Sequence, residues 1–315
     1  MKFKQFENIL KYWENKNINI LDRIKIVKTY AFSKINYIMS NLEITEDFVK
    51  KTQQAINNFI WQNKKPKIKQ NVSYQNIQNG GISIPNIDKI VRANRITWIK
   101  RLLCKDNRNI QYLQKFLPKV SFEYFIKCNY NPIDLPNDIP LFYLQILFSW
   151  FSLKRNPTNP IDIRNELIIL NKHIEIDKKY FFNHKLIKNK TILINDFLDE
   201  TGKPLTHQNF ISKHGNIIPY FQYISIIDAI PKEWRKLLKT QKINQNICNI
   251  DSIPTYYIKS HKPITKISSK EIYWSLIQDK LENPTCITSW NKELALNHNA
   301  MEWESIFILP FKCSS

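Results

Sequence analysis

Glycine is scarce in this chain, and its scarcity narrows the range of possible folds. The 315 residues include four glycines against 15 prolines, and Gly80-Gly81 is the only adjacent glycine pair. Glycine-rich phosphate-binding loops and all-β folds built on tight turns both depend on this residue. We therefore expect long helices joined by short segments punctuated by proline and asparagine.

Closely spaced cysteines and long apolar runs are also missing. The five cysteines lie far apart, without a Cys-x-x-Cys pair, so neither a zinc site nor a disulfide framework is predicted. A reduced, intracellular protein is the expectation. The longest uncharged stretch, residues 139–153, is shorter than the ~20 residues of a membrane span, and no signal-peptide pattern follows Met1. This stretch predicts a fully buried helix, and no membrane partner is expected.

The sequence lacks the usual catalytic motifs. No Asp-Asp pair supplies the tandem carboxylates that hold two divalent metals in a polymerase palm. The Gly-x-x-x-x-Gly-Lys, Gly-x-Ser-x-Gly and His-Glu-x-x-His patterns are absent, and the six histidines do not cluster. The pair Asp199-Glu200 precedes Thr201-Gly202-Lys203, which is more typical of a β-turn than of an acid/base couple. We predict no catalytic residue, metal site or cofactor for this chain alone.

Positive charge is what the sequence has in excess. Lysine and arginine number 47 against 27 acidic residues, and the isoelectric point is near 9.6. The first 120 residues carry 23 basic and 8 acidic residues. A/T-rich coding DNA would explain the 39 lysines against 8 arginines, but that bias would act evenly along the chain. The clustering favours contact with a polyanion, and we predict nucleic acid as the partner.

The candidate contacts lie on a helix and on a basic segment. Pro66 blocks helix formation in Lys64-Lys65-Pro66-Lys67-Ile68-Lys69, which predicts extended chain; a nuclear-import signal and a plain basic loop are the alternative interpretations. Trp13 and Trp61 are expected to hold helices together, with stacking on a base as the alternative. The predicted nucleic-acid-binding residues are Arg23, Lys25, Lys28, Lys34, Lys64, Lys65, Lys67 and Lys69.

Apolar residues at three- and four-residue spacing predict several helices. Asp22 is the expected N-cap of the helix over residues 24–39, and Arg95 is expected on the polar side of the helix over residues 87–103. Ser268 and Glu271 have capping-box spacing at the start of the helix over residues 269–281. The predicted helices span residues 24–39, 45–61, 87–103, 141–151 and 269–281.

The segments between these helices are less clearly patterned. A turn at Gly80-Gly81 is expected to lead into a short strand over residues 82–85. The apolar runs 167–170 and 192–194 are either strands or buried helix ends, which periodicity alone does not distinguish.

A set of short motifs between residues 13 and 98 follows a recognisable order. The motifs are Trp13, Ile20-Leu21-Asp22-Arg23-Ile24-Lys25-Ile26-Val27-Lys28-Thr29, Ala31-Phe32-Ser33-Lys34-Ile35-Asn36-Tyr37, Asn58-Phe59-Ile60-Trp61, Lys64-Lys65-Pro66-Lys67-Ile68 and Gly80-Gly81-Ile82-Ser83-Ile84-Pro85-Asn86. Together they closely resemble the segment just after the catalytic palm in LINE-type (non-LTR) retrotransposon reverse transcriptases. Asp22 stands where that family usually has glycine. The resemblance continues more loosely to the end of the chain.

This resemblance implies a mainly α fold in three parts. Residues 1–63 would form a thumb-like helical region, residues 64–125 a basic wrist-like connector with a helix, and residues 126–315 an accessory post-polymerase helical domain with a few short strands. The endonuclease, fingers and palm would lie upstream of Met1, so we expect a fragment of an RNA-directed DNA polymerase that lacks the palm carboxylates.

The resemblance also implies partners and a location. The expected partners are RNA, an RNA–DNA hybrid or a DNA duplex, together with upstream polymerase domains if the chain is part of a longer one. The expected location is the nucleus or a cytoplasmic ribonucleoprotein. Two alternatives remain: a non-enzymatic structural or interaction protein, or inert retroelement remnant, whose lysines only solvate its helices, and an active polymerase that takes its palm carboxylates from another chain.

Overall fold

The protein is mainly α-helical, as predicted. A computed structural model describes residues 2–104, 108–153, 157, 159–239, 264–278, 282 and 284. Within these residues, the one sheet is an antiparallel pair of two-residue strands, β1 (Glu175–Ile176) and β2 (Lys179–Tyr180), in which Glu175 lies opposite Tyr180. The helices are α1 (Lys2–Glu14), α2 (Ile20–Ile26), α3 (Phe32–Asn41), α4 (Glu46–Trp61), α5 (Gln70–Tyr74), α6 (Ile87–Leu102), α7 (Arg108–Leu113), α8 (Phe122–Lys127), α9 (Leu141–Phe151), α10 (Pro160–Arg164), α11 (His184–Lys188), α12 (His207–His214), α13 (Tyr220–Ala229), α14 (Lys232–Leu238) and α15 (Ser269–Gln278).

The chain forms two compact units. Unit 1 comprises the described residues up to Thr97 and those from Ile267 onward, and unit 2 comprises the described residues between Trp98 and Lys266. Helix α6 begins in unit 1, and unit 2 starts at Trp98 within it. The chain therefore divides at Trp98, and α15 belongs to unit 1. The expected boundaries, after residues 63 and 125, lie elsewhere.

One apolar core holds unit 1 together. Phe6 of α1, Ile35 of α3 and Ile56 of α4 are fully buried in the same cluster as Ile87 of α6. Ile277 of α15 joins this cluster from the far end of the chain. The segment after residue 63 therefore shares its core with the first four helices.

The first predicted helix is part of a longer helical segment. Helices α2 and α3 are joined by a π-helical turn, Val27–Ala31. The N-cap is Asn19, whose Oδ1 accepts a hydrogen bond from the Asp22 backbone N at 2.8 Å. The prediction that Asp22 caps the helix is wrong, because Ile20 and Leu21 pack against the core and the helix begins at Ile20.

Arg95 is buried, contrary to the prediction that it lies on a polar face. Its Nη1 donates to the carbonyl oxygens of Met39 (3.1 Å) and Ser40 (3.2 Å), and its Nη2 donates to that of Leu42. The last carbonyls of a helix have no partner within it, so this side chain supplies donors to the end of α3. Burial lowers the pKa of Arg95 to about 10.

Residues 82–85 form no strand, contrary to the prediction. Gly80 ends a short 3-10 turn, Ile77–Asn79, with φ of 74°, and the chain then runs back beside α5. The backbone N of Ser83 donates to Gln75 O, and that of Ile84 donates to Ser73 O, each at 2.9 Å. These two bonds join the segment to a helix end rather than to a sheet.

Three other predicted helices occur in the structure. Helices α4 and α6 end within one residue of their predicted bounds, and α9 has the predicted bounds, although Leu141 and Phe148 are exposed and α9 is therefore not fully buried. Among the described residues, no helix is both long and apolar enough to cross a membrane.

The capping box of α15 is confirmed. The backbone N of Ser268 donates to Glu271 Oε2 at 2.7 Å, and the backbone N of Glu271 donates to Ser268 Oγ at 3.2 Å. The predicted end of this helix, at residue 281, lies outside the described residues.

Backbone bridges and turns organise part of unit 2. The runs 167–170 and 192–194 are buried and meet in an isolated β-bridge between Leu167 and Leu193. The turn at Asp199-Glu200 is confirmed, since Asp199 Oδ1 accepts from Thr201 Oγ1 (2.7 Å) and from the backbone N of Lys203 (2.9 Å).

Candidate nucleic-acid interface

The lysine segment, residues 64–69, projects its charges away from unit 1. It begins beyond the left-handed C-cap Gln62 of α4 and ends at Lys69, the N-cap position of α5. Between these helices, Ile68 is half-buried against the core of unit 1. The residues around it are exposed: Lys64, Lys65, Pro66, Lys67 and Lys69.

The four lysines of this segment are available to an external anion. None of their ammonium groups has a hydrogen-bond or ion-pair partner among the described residues. The carboxylate adjoining the segment is Glu14, whose Oε1 accepts from Asn63 Nδ2 at 3.2 Å. Lysine ammonium groups without carboxylate partners bind phosphates without first breaking an ion pair.

Arg23 does not belong to this interface. Its side chain is 1% exposed, and its guanidinium lies 5.0 Å from the centre of the Phe59 ring. Its three nitrogens donate at 3.1 Å to the carbonyl oxygens of Ile18, Phe59, Glu14 and Lys16. A guanidinium whose three nitrogens all donate to backbone carbonyls has none left to bind a phosphate. The prediction that Arg23 contacts nucleic acid is therefore wrong.

The three lysines predicted on the same helical segment differ in their surroundings. Lys25 is exposed and pairs with Asp22 at 2.9 Å, and its hydrogen bond holds the pKa of the Asp22 carboxyl below its ordinary value. Lys34 is exposed and has no partner in the described part of the chain. Lys28 lines a cleft together with Lys270. Partial loss of hydration, together with repulsion from Lys270, lowers the pKa of Lys28.

Two exposed tyrosines lie before and after Lys34 in the chain. They were not among the predicted contacts. Tyr30 is 54% exposed and Tyr37 is 71% exposed, and together with Lys34 they form what we call the Tyr–Lys face. Trp13 of α1 is half-buried and stacks against Tyr30, with ring centres 6.2 Å apart. Tyr30, Lys34 and Tyr37 follow one another at intervals of four and three residues, which place side chains on one side of a regular helix. This spacing was the signal available in the sequence.

Trp13 and Trp61 both contribute to packing. Each is half-buried against the core of unit 1, which agrees with their expected role in holding the helices together. The position of Lys270 beside Lys28 had no signal in the sequence, because α15 returns to unit 1 from 241 residues farther along the chain.

The structure brings together some of the predicted contacts. The lysine segment, Lys25, Lys28 and Lys34 all belong to unit 1, in which Arg23 joins α2 to the end of α4. The lysine segment follows α4, whereas Lys25, Lys28 and Lys34 lie on the helical segment from α2 to α3, so unit 1 carries both sets of basic residues.

No group of three or more His, Cys, Asp and Glu side chains in the described ranges is arranged to hold a metal ion. Models of known protein families were compared with the sequence, and none of them matches it.

Proposed function

We propose that the protein binds nucleic acid through the lysine segment and the Tyr–Lys face of unit 1. The observation that carries this proposal is the lysine segment itself, which presents four exposed lysines whose ammonium groups have no partner in the described part of the chain. Helices at both ends and Ile68 in the middle hold it in place, so binding costs little ordering of the backbone.

The Tyr–Lys face adds a second kind of contact. Unpaired bases stack on exposed aromatic rings, while a neighbouring lysine neutralises the backbone phosphate. Tyr30, Lys34 and Tyr37 offer this combination on one side of a helical segment. A strand with unpaired bases would therefore use both surfaces, whereas a duplex would use the lysines alone.

The resemblance of residues 13–98 to LINE-type reverse transcriptases supports a more specific form of this proposal. In that form the protein is the part of an RNA-directed DNA polymerase that follows the palm, and it grips template–primer duplex or element RNA while the upstream domains perform the chemistry. It would then work in the nucleus or in a cytoplasmic ribonucleoprotein.

The salt dependence of binding tests the role of the lysine segment. Each phosphate contact contributes about 0.9 to the slope of log K against log salt on duplex DNA. Changing Lys64, Lys65, Lys67 and Lys69 to alanine should therefore reduce that slope by about 3–4 units. Fluorescence anisotropy with a labelled duplex measures the slope directly.

A matched control removes the same charge elsewhere. Lys115, Lys119, Lys185 and Lys188 are exposed lysines of unit 2 without a side-chain partner in the described residues. Changing these four to alanine should leave the slope within about one unit of the wild type. Equal reductions in the two variants would show that net charge, rather than the lysine segment, governs binding.

A further inference from the structure

Unit 1 contains an open cleft at the N-terminal end of α15. Its volume is about 510 Å³, within the range of small-molecule pockets. Residues of the α2–α3 helical segment, the segment between α5 and α6, α6 and α15 line it. Among them are Lys28, Phe32 and Asn36 of the first and Lys270 and Trp274 of the last.

The charge in this cleft is positive and uncompensated. Lys28 and Lys270 line it, and no aspartate or glutamate of the described residues does. Neither lysine has an ion-pair partner among the described residues. The nearby Glu271 directs its carboxylate to Ser268 N and Oγ, at 2.7 and 2.8 Å, in the capping box.

These two lysines are close enough to repel each other. Partial dehydration lowers the pKa of Lys28, and the repulsion from Lys270 adds to this effect. A protein places two like charges together at a cost in stability, which a bound anion removes. A ligand with two negative charges matches the pair better than a singly charged phosphodiester does.

The rest of the cleft suits a ring system beside that anion. Phe32 and Trp274 provide half-buried aromatic surface. Asn36 is exposed and has no side-chain partner in the described chain, so its amide offers both a donor and an acceptor to a ligand. Aromatic planes and amides are the groups by which proteins hold nucleobases.

The backbone at Lys28 is itself unusual. Lys28 lies in the π-helical turn Val27–Ala31 between α2 and α3. Such turns shift the side chains that follow relative to a regular helix, and they occur frequently at functional sites. Here the turn separates α2 from α3, which supplies Phe32 and Asn36 to the cleft.

We infer that this cleft binds the phosphate monoester of a nucleotide, with Lys28 and Lys270 on the phosphate and Phe32 and Trp274 beside the base. The nucleotide is either free or at the phosphorylated end of a strand. This site is separate from the lysine segment and the Tyr–Lys face, so its occupancy does not require either of those surfaces.

Calorimetric titration of the full chain tests the inference. The probes are adenosine monophosphate, adenosine, inorganic phosphate, and one short oligonucleotide with either a 5′-phosphate or a 5′-hydroxyl. Adenosine monophosphate should bind more tightly than adenosine or inorganic phosphate, since only it uses both halves of the cleft. If the ligand is the phosphorylated end of a strand, the oligonucleotide with a 5′-phosphate should bind more tightly than the one with a 5′-hydroxyl. Equal binding of the two assigns the site to free nucleotides.

Variants show whether the cleft is responsible. Lys28→Gln combined with Lys270→Gln should weaken binding of adenosine monophosphate at least tenfold, while Lys115→Gln with Lys119→Gln should leave it unchanged. Circular dichroism should show the same helix content in both. The inference is overturned if the nucleotide and the phosphorylated oligonucleotide fail to bind the wild type, or if the cleft variant binds them equally well. Equal affinity for inorganic phosphate and the nucleotide would overturn the assignment of a base.

Discussion

At the scale of single residues, the buried arginines differ from the lysines around them in their hydrogen bonding. Arg23 and Arg95 each donate to several backbone carbonyl oxygens, whereas Lys34 and the lysines of the lysine segment have no partner in the described structure. The planar guanidinium carries five donors in fixed directions, while an ammonium is a compact charge on a flexible stem. Arg23 and Arg95 therefore support the fold of unit 1, whereas these lysines face the solvent.

Replacing Arg23 tests this division. Arg23→Lys should lower the free energy of unfolding by about 3 kcal/mol, because several buried carbonyl oxygens lose charged donors that a lysine does not replace. Urea denaturation followed by circular dichroism measures the change. Lys25→Gln, in the exposed pair with Asp22, is the control and should leave the denaturation midpoint unchanged. A variant of Arg23 that keeps its stability but loses affinity for nucleic acid would contradict the structural role.

The raised pKa of Tyr273 makes the stability of the protein sensitive to alkaline pH. Its hydroxyl oxygen accepts a hydrogen bond from the backbone N of Asn86 at 3.2 Å, and burial raises the pKa of Tyr273 from 10.0 to about 12. A raised pKa in the folded state means that this contribution to stability is complete below pH 10 and is lost as the pH rises towards 12. The wild type should therefore lose stability over this range more steeply than Tyr273→Phe, which keeps the ring but does not titrate.

Denaturation midpoints at a series of pH values provide the measurement for Tyr273. Tyr223, whose pKa is also raised to about 12 by burial, titrates in both proteins and supplies the common background. Identical pH profiles for the wild type and Tyr273→Phe would contradict the account.

At the scale of elements, the return of the chain between α5 and α6 depends on one glycine. Gly81 is buried, and a Cβ added to it would collide with the backbone oxygens of Gln75 and Val72. The backbone N of Gly81 also donates to Asn76 O at 3.0 Å. The turn brings residues 82–87 back against the core of unit 1, so this close approach requires the absence of a side chain.

Substitution of glycine by alanine tests that requirement. Gly81→Ala should lower the free energy of unfolding by about 3 kcal/mol, because a backbone clash forces the turn to shift. Gly215 is the control, since its φ of 86° disfavours alanine but no atom lies within 4 Å of the added Cβ. Gly215→Ala should lower stability by about 1–3 kcal/mol through backbone strain alone, because its φ of 86° and ψ of 171° lie in a region that is almost exclusive to glycine. Thermal denaturation measures both variants, and a Gly81→Ala variant as stable as the wild type would show that packing at Gly81 is loose.

Some elements were predictable because their signals are local. Thr45 accepts from Phe48 N at 3.2 Å as the N-cap of α4, and the capping box of α15 forms between residues only three apart. The π-helical turn at Val27–Ala31 and the buried position of Arg95 were not predictable in this way. The position of Arg95 depends on a distant partner, the end of α3, and the turn has no sequence signal of its own.

At the scale of the whole molecule, the distribution of charge follows the division into units only in part. The basic excess of the first 120 residues covers the N-terminal part of unit 1 and the start of unit 2, but not the part of unit 1 that follows residue 266. The candidate surface was largely identifiable from this excess and from Pro66, which keeps the lysine segment out of a helix. Its aromatic part has a signal in the spacing of Tyr30, Lys34 and Tyr37, whereas the Lys28–Lys270 cleft emerges only when α15 is placed in space.

The central claim is that unit 1 binds nucleic acid rather than merely carrying charge. The most direct measurement is an anisotropy titration of the full chain with a labelled RNA–DNA hybrid at about 0.15 M salt, with polyglutamate as competitor. Saturable binding that persists at this salt and resists polyglutamate at equal charge is the predicted result. Binding that disappears at this salt, or that polyglutamate displaces as readily as unlabelled hybrid does, would contradict the proposal.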